Sequence, residues 1–249
     1  MNLYGLIGYP LSHSFSKEYF INKFKKENIT DVKFKLFEID NLNNFRNIIA
    51  ENPDLTGLSV TIPYKQLIRN YLTDIDDTAR EIGAVNCIRI TRDGKKPILT
   101  GFNTDVFGFE KSLAPLLKPY HRKALILGTG GASKAVAFVL DKLGIGYVFI
   151  SRNPYVCNHI RYQMLNKDIL VNHLIIINTS PVGMYPDIKS YPDIPYKHIT
   201  EKHLLFDLIY NPEETLFLKK GKERGATIKN GLEMLYLQAE KSWEIWNKT

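Results

Sequence analysis

Residues 124–140 read Ala-Leu-Ile-Leu-Gly-Thr-Gly-Gly-Ala-Ser-Lys-Ala-Val-Ala-Phe-Val-Leu. The first four residues form an apolar run that is typical of a buried parallel strand. A turn of small residues follows, and from Lys134 the apolar side chains recur at helical spacing until Gly144 ends the segment. A strand, a glycine turn and a helix N-terminus in this order predict a pyrophosphate site, because bare backbone and unpaired N–H groups face the anion there.

The glycine turn departs at one position from the dinucleotide-binding pattern G-x-G-x-x-G. Ser133 stands where the third glycine is expected. A glycine-rich turn is often only a turn, but the strand before this one and the helix after it favour dinucleotide binding.

The end of the next predicted strand, 147–150, indicates which dinucleotide binds. Folds that bind NAD usually place Asp or Glu there, whereas folds that bind NADP place Arg near the 2′-phosphate. This chain has Ser151, Arg152 and Asn153 and no acidic residue at that point. Arg152 can donate two hydrogen bonds to a phosphate, which favours NADP. The other interpretation is an exposed loop arginine in a lysine-rich protein.

Composition indicates a cytoplasmic enzyme. At 249 residues and 44% hydrophobic content, the chain suits one large domain or two modest ones. It has no long apolar segment and no basic leader, so we expect neither a membrane-spanning helix nor a signal peptide. Cys87 and Cys157 form neither a disulfide framework nor a metal-binding spacing, which indicates a reducing compartment. The net charge of +7 suits anionic ligands, but no lysine run is interleaved with aromatic residues, so we expect no nucleic-acid binding.

Alternating strand and helix patterns predict an α/β protein with two α/β domains. The first half carries strands at 3–7, 32–36, 55–62 and 83–90, and a helix from Lys17 with Ser16 as its N-cap. The second half predicts a parallel, doubly wound, Rossmann-like sheet from strands at 124–127, 147–150, 174–178, 204–209 and 226–229. The amphipathic tail, 231–246, is expected to fold back against the N-terminal domain.

Three loops of the first half, each just after a predicted strand, carry side chains suited to the reduction of a ketone. They contribute Ser14 with Ser16, Thr61 with Lys65, and Asn86, and Asp105 follows at the domain junction. Because ligands bind at the carboxyl ends of strands in open α/β sheets, we expect these loops to converge. Lysine is a suitable proton donor, and an aspartate can orient it. Plainer interpretations are an exposed lysine at 65, helix caps at 16 and 105, and a turn residue at 86.

Eight motifs in sequence order resemble those of the shikimate dehydrogenase family. They extend along the whole chain: GYPLSHSFS at 8–16, VTIPYK at 60–65, GAVN at 83–86, GFNTD at 101–105, the glycine turn at 128–133, NTSPVGM at 178–184, YNP at 210–212 and NGLEMLYLQ at 230–238. The resemblance implies the NADPH-dependent reduction of 3-dehydroshikimate to shikimate, a step in chorismate and aromatic amino-acid synthesis.

The resemblance also implies how the chain is divided. We expect a substrate-binding domain with a mixed, mainly parallel sheet in residues 1–102 and 232–249, and an NADP-binding domain in residues 103–231. We expect a cytoplasmic monomer or homodimer whose partner is the small-molecule substrate, without nucleic acid or membrane.

Residue by residue, the resemblance implies contacts to both ligands. The substrate carboxylate is bound by Ser14, Ser16 and Tyr210, and the ring hydroxyls by Thr61, Asn86, Asp105 and Gln238. Lys65 is the acid/base residue, and Asp105 is its partner. The pyrophosphate is bound by Gly128, Thr129, Gly130, Gly131 and Ala132, the adenosine phosphate by Ser151, Arg152 and Asn153, and the nicotinamide by Leu208 and Gly231. No metal is implied.

A binding role for Gln238 is also indicated by its position in the sequence, independently of the family resemblance. It is a polar residue on the inner side of the apolar tail helix, where an amide without partners costs roughly 1–3 kcal/mol. The other interpretation is a boundary position that reaches water.

The chain departs from the family pattern at a few positions. The departures are Lys17 for Pro, Ser59 for Asn, Cys87 for Thr, Leu208 for Met, and Ser-Arg-Asn at 151–153 for Asn-Arg-Thr.

Two other functions fit parts of this pattern. One is a quinate/shikimate dehydrogenase that uses NAD, against which only Arg152 argues. The other is a non-catalytic metabolite sensor, against which the presence of both Lys65 and Asp105 argues. The sequence lacks a G-x-S-x-G elbow, and its six histidines lack ligand spacing, so neither a serine hydrolase nor a metalloenzyme is supported.

Overall fold

A computed structural model describes residues 1–11, 14–94, 96–152 and 159–248. Of Asp93 it describes the backbone but not the side chain. The chain forms two compact units. The first unit comprises Met1–Thr104 with Ala239–Thr249, and the second unit comprises Asp105–Gln238. The assignment of 1–102 with 232–249 to substrate and of 103–231 to cofactor stays a prediction. Within the described residues, no helix is long and apolar enough to cross a membrane.

The first unit contains a mixed six-stranded sheet. Its strands are β1 (Asn2–Gly8), β2 (Val32–Glu38), β3 (Leu55–Val60), β4 (Asp74–Ile75), β5 (Cys87–Asp93) and β6 (Lys96–Phe102). They lie in the order β2-β1-β3-β5-β6-β4. Strand β1 pairs in parallel with β2 and β3, whereas β5 is antiparallel to β3 and β6. The helices of this unit are α1 (Phe15–Lys26), α2 (Phe45–Glu51) and α3 (Asp77–Ile82).

Two local predictions for the first unit are wrong. Helix α1 begins at Phe15 with Ser14 at the N-cap position, so Ser16 lies in the first turn and does not cap the helix. The rings of Phe15 and Tyr19, one turn apart, stack with centroids 5.6 Å apart, and this contact extends the helix. Residues 83–86 precede the strand, because Gly83 ends α3 in the left-handed region at φ 71°.

The tail helix α8 (Leu232–Trp246) completes the core of the first unit with its second half. The ring of Tyr4 on β1 lies 5.0 Å from the Trp243 ring and 5.2 Å from the Trp246 ring, between centroids. The Tyr4 hydroxyl also donates to Asn247 Oδ1 at 3.0 Å. The prediction that the tail folds back against the N-terminal region is therefore confirmed.

The second unit contains a six-stranded sheet in which every paired strand is parallel. Its strands are β7 (Lys123–Leu127), β8 (Gly146–Ile150), β9 (His159–Ile160), β10 (Ile175–Asn178), β11 (Leu204–Asp207) and β12 (Thr227–Lys229). The helices are α4 (Asp105–Leu113), α5 (Gly131–Lys142), α6 (Lys167–Asn172) and α7 (Leu216–Lys222). The order β12-β11-β10-β7-β8-β9 confirms the doubly wound arrangement and places the point where the strand order reverses between β7 and β10.

His203 precedes β11 and is nearly inaccessible, with 1% of its surface exposed. The Thr200 backbone N–H donates to His203 Nδ1 at 3.0 Å, and Nε2 lies 3.1 Å from the Leu170 carbonyl oxygen. Because a backbone N–H can only donate, Nδ1 is unprotonated and Nε2 carries the hydrogen. Burial lowers the pKa of His203, so the folded protein keeps this imidazole neutral.

This histidine makes the stability of the protein depend on pH. Below the ordinary pKa of 6.5 the unfolded chain binds a proton that the folded chain does not, so the stabilisation present above pH 6.5 is lost as the pH falls. We expect His203→Gln to show a shallower loss of unfolding free energy between pH 7 and 5.5 than the unchanged protein, measured by urea denaturation. His198→Gln, a half-buried histidine on the same segment, is the control. Equal slopes for all three proteins would contradict the assignment.

Candidate active site

The carboxyl ends of β1 and β3 lie side by side, and their loops are hydrogen-bonded together. Thr61 N–H donates to the Ile7 carbonyl at 2.9 Å, and Tyr9 N–H donates to the Ile62 carbonyl at 3.1 Å. Parallel pairing of the two strands brings these loops to one edge of the sheet, as the sequence predicts. The half-buried Thr61 side chain lies at this edge.

The turn at 61–65 is fixed by the buried Tyr64, whose hydroxyl donates to the Ile39 carbonyl at 2.6 Å. The Lys65 carbonyl accepts from Val85 N–H at 2.7 Å, which places Lys65 beside the segment that carries Asn86. The Asn86 carbonyl in turn accepts from Val60 N–H at 2.8 Å. The structure therefore brings Thr61, Lys65 and Asn86 together, and the Lys65 side chain is half-buried.

Asn86 is buried, and its amide is held by Thr104. Thr104 N–H donates to Asn86 Oδ1 at 2.7 Å, and Asn86 Nδ2 donates to Thr104 Oγ1 at 3.0 Å. The first contact settles which amide atom is oxygen, because a backbone N–H cannot accept. Asp105 is the next residue, so its Cα lies about 3.8 Å from that of Thr104. Asp105 is 5% exposed and lies in the first turn of α4, where negative charge is stabilised.

Ser14 and Ser16 lie at the start of α1, in different settings. Ser14 is the N-cap residue, yet its side chain forms no capping hydrogen bond. Its Oγ is buried and has no hydrogen-bond partner in the described part of the chain. Since a buried hydroxyl without a partner costs free energy, this oxygen is suited to a ligand that the protein alone does not supply. Ser16 is half-buried.

The glycine turn of the second unit lies at the switch between β7 and β10. Gly128 adopts φ +111°, which favours glycine, and a Cβ there would lie 3.0 Å from Thr179 Oγ1 on the adjacent loop. Gly130 is the N-cap residue of α5, so no side chain caps the first N–H groups of this helix. Thr129 and Gly130 are exposed, and nothing lies within 4 Å of a Cβ built on Gly130. Open space before uncapped N–H groups fits a dinucleotide phosphate, with Gly131 and Ala132 in the first turn.

Ser133 takes the place of the third glycine without entering that space. It is 1% exposed, and its hydroxyl donates to the Gly130 carbonyl at 2.7 Å. The Ser133 side chain thus stabilises the turn through this hydrogen bond.

Asp207, at the end of β11, is a residue that sequence reasoning missed. Its Oδ1 accepts from Asn178 Nδ2 at 3.0 Å and from Ile209 N–H at 3.1 Å, and its Oδ2 accepts from Thr215 Oγ1 at 2.6 Å. Burial raises the pKa of Asp207 to about 6. These bonds fix the loop 207–210, on which Leu208 and the half-buried Tyr210 lie. The available signal was an acidic residue at the end of an apolar run, Leu-Leu-Phe-Asp at 204–207.

Leu208 and Gly231, both predicted near the nicotinamide, are in direct contact. Gly231 N–H donates to the Ile209 carbonyl at 3.0 Å, and a Cβ on Gly231 would overlap the Leu208 carbonyl group. Gln238 lies further along α8, half-buried, and its Nε2 donates to the Leu235 carbonyl at 2.9 Å.

The predicted adenosine-phosphate residues are only partly described. Ser151 N–H donates to the Ile160 carbonyl at 3.0 Å, and Gly128 N–H donates to the Ile150 carbonyl at 3.0 Å, so the end of β8 adjoins the glycine turn. Arg152 is exposed there. Burial raises the pKa of the nearby Tyr162 hydroxyl, and the positive charge of Arg152 opposes this by lowering it. Asn153 lies outside the described residues, as do Cys157 and His13. In the described ranges, no group of three or more His, Cys, Asp or Glu side chains could hold a metal ion.

Gly231→Ala tests the close approach of the two loops. The added methyl group has to displace the backbone at Leu208, and we expect a loss of about 1–3 kcal/mol of unfolding free energy. Urea or thermal unfolding measures it. Gly146→Ala is the matched control, because the nearest atom to a Cβ there is 3.9 Å away. If both variants are as stable as the unchanged protein, the packing of Gly231 on Leu208 is wrong.

A family model described as the shikimate dehydrogenase substrate-binding domain matches residues 6–88. An NADP-dependent shikimate dehydrogenase of Methanococcus vannielii is 39% identical over 98% of this chain and 90% of its own length. A solved shikimate dehydrogenase in complex with NADP+ superposes with a TM-score of 0.85 at 33% identity, over 99% of this chain and 90% of its own. The Thermus thermophilus enzyme, solved with NADP(H) and shikimate, gives a TM-score of 0.85 at 26% identity, over 99% of this chain and 94% of its own.

Proposed function

The chain belongs to the shikimate dehydrogenase family, and on this premise we propose that it catalyses the reversible NADPH-dependent reduction of 3-dehydroshikimate to shikimate. This reaction is a step in chorismate and aromatic amino-acid synthesis. The observation that carries the proposal is the placement of Lys65 beside Asn86. The Lys65 carbonyl accepts from Val85 N–H, and the amide of the next residue, Asn86, is held by Thr104, which precedes the buried Asp105.

The substrate is bound by polar groups at the strand ends. Ser14 and Ser16 donate hydroxyl protons to the substrate carboxylate, with Tyr210. The buried Ser14 Oγ, which has no partner in the ranges that the structure describes, supports this role. Thr61, Asn86, Asp105 and Gln238 bind the ring hydroxyls. The hydrogen bond from Thr104 N–H to Asn86 Oδ1 supports this assignment, because it fixes the orientation of the Asn86 amide before any ligand binds.

Lys65 is the acid/base residue of the reduction. Its ammonium group donates a proton to the ketone oxygen as the C–O double bond becomes a C–OH single bond, and its positive charge stabilises the oxygen beforehand. NADPH held by the second unit would supply the hydride for the carbonyl carbon. Asp105 orients the ammonium group, and Lys65 regains its proton from solvent.

The second unit binds the cofactor. The turn from Gly128 to Ala132 binds the pyrophosphate through backbone N–H groups, supported by the uncapped start of α5. Ser151, Arg152 and Asn153 bind the 2′-phosphate, and the contact between Leu208 and Gly231 lies along the nicotinamide. We place the protein in the cytoplasm, as a monomer or homodimer, where its buried free thiol Cys87 stays reduced.

Replacing Lys65 tests the proposed acid. We expect Lys65→Ala to lower kcat by roughly 10²–10⁴-fold with little change in KM for 3-dehydroshikimate, because the proton donor acts only in the transition state. Steady-state NADPH oxidation measures both constants. Lys33→Ala, at an exposed position on β2, should match the unchanged protein. A large rise in KM at constant kcat would make Lys65 a binding residue instead.

Replacing Arg152 tests the choice of cofactor. A charged hydrogen bond to the 2′-phosphate contributes about 1.5–3 kcal/mol, so Arg152→Ala should narrow the ratio of kcat/KM for NADPH over NADH by roughly ten- to a hundredfold. Arg224→Ala, exposed before β12, is the control. An unchanged ratio would remove Arg152 from the phosphate site. A preference for NADH in the unchanged protein would favour the NAD-dependent quinate/shikimate alternative.

A further inference from the structure

The sheet of the second unit continues by one residue beyond the ends of β7 and β8. Gly128 N–H donates to the Ile150 carbonyl, and Ser151 N–H donates to the Ile160 carbonyl, both at 3.0 Å. These bonds continue the parallel register that joins β7 to β8 and β8 to β9. Gly128, Ser151 and Arg161 therefore lie in one row at the carboxyl edge of the sheet, with neighbours about 4.8 Å apart.

Arg161 lies on the same face of this edge as Ser151. Its backbone is still extended, at φ −83° and ψ 152°, so side chains alternate between the two faces up to this residue. Two residues earlier in the same register, the ring centroids of Phe149 and His159 are 4.9 Å apart. Because a step of two residues returns to the same face, the side chains of Ser151 and Arg161 also start side by side.

Arg152 brings a second positive charge to the same edge. Arg152 and Arg161 are both exposed. Burial raises the pKa of the Tyr162 hydroxyl, and the charge of Arg152 lowers it, so the Arg152 guanidinium lies near the residue that follows Arg161. Among the residues that the structure describes, neither arginine pairs with a carboxylate. Both charges are therefore available to an anion.

A 2′-phosphate has enough charge and enough oxygen atoms for two arginines. A phosphate monoester carries about −1.5 to −2 charges at neutral pH and presents three acceptor oxygens. One guanidinium donates two parallel hydrogen bonds and neutralises one charge, so a single arginine leaves part of the phosphate unmatched. Between Arg152 and Arg161 the sequence contains no other lysine or arginine. Arg161 is thus the next such cation along the chain.

We propose that Arg161 is a second cofactor-binding arginine, which donates to the 2′-phosphate of NADP from the end of β9 while Arg152 donates from the end of β8. The row places this contact, because a pyrophosphate at Gly128 puts the adenosine ribose beside Ser151, one strand from Arg161. The inference rests on the proposed function, since it needs the glycine turn to bind the cofactor. It predicts that Arg161 contributes to the preference for NADP over NAD.

The test is the binding of NADP+ and NAD+ to the whole protein, measured by isothermal titration calorimetry without substrate. The two nucleotides differ only in the 2′-phosphate. We expect Arg161→Ala to raise Kd for NADP+ about tenfold and to leave Kd for NAD+ within about twofold. Tenfold is the lower end of the range for a charged hydrogen bond, because water and salt screen an exposed site.

Arg122→Ala is the matched control. Arg122 is an exposed arginine that precedes β7 at the opposite edge of the same sheet, so its removal changes the net charge equally. Kd for either nucleotide should not change in this variant. Arg161→Gln keeps part of the side-chain stem without the charge, and it should reproduce the tenfold loss, which separates loss of the guanidinium from a folding defect in Arg161→Ala.

The outcomes separate this inference from the proposed function. If the unchanged protein prefers NADP+, and Arg161→Ala and Arg161→Gln leave both Kd values unchanged, the role of Arg161 is wrong and the proposed function stands. Equal losses for NADP+ and NAD+ would place Arg161 at another part of the cofactor, and an equal loss in Arg122→Ala would reduce the effect to net charge; either result overturns the inference. If the unchanged protein binds NADP+ no more tightly than NAD+, the proposed choice of cofactor is wrong, and this inference with it.

Discussion

The buried pair of hydrogen bonds between Asn86 and Thr104 is the constraint on which the proposed substrate site depends. It joins the start of β5 to the end of the segment after β6, and both groups would cost free energy if buried unpaired. Lys65 is held to the same place through Val85, and Asp105 follows Thr104 in the chain. Lys65 and Asn86 are therefore held by one small polar cluster, to which Ser242 of α8 also belongs.

The proposed cofactor site relies on backbone geometry more than on side-chain chemistry. The positive φ of Gly128, the open space at Gly130 and the uncapped start of α5 leave N–H groups available to an anion. Ser133 and Asp207 hold this geometry from inside, the first by bonding to Gly130 and the second by tying the loop after β11 to Asn178 and Thr215. Arg152 is the exception, a charged side chain whose role depends on the presence of a phosphate.

Sequence patterns predicted the second unit more accurately than the first. Buried parallel strands are continuous apolar runs, so β7, β8, β10 and β11 were found within two residues at their starts and ends. The two-residue strands β4 and β9 have no periodicity to detect, and β9 lies next to residues outside the described ranges. The start of α1 was misplaced because Ser14 and Ser16 are equally good caps by type, whereas the helix in the structure begins at Phe15, whose ring stacks on that of Tyr19. Asp207 was missed because its role depends on the side chains of Asn178 and Thr215, 29 and 8 residues away, which no local pattern connects to it.

The sequence by itself determined the fold class, the family and the residue types available for chemistry, because apolar periodicity and short motifs are local properties of the chain. Only the tertiary structure decided that Thr61, Lys65 and Asn86 share one edge of a sheet, that the Ser14 hydroxyl is buried with no partner among the described residues, and that Ser242 reaches Thr104. The physical reason is that burial and hydrogen bonding depend on which segments meet. Residues 104 and 242 are far apart in the chain, and no local pattern records that their hydroxyls are 3.0 Å apart.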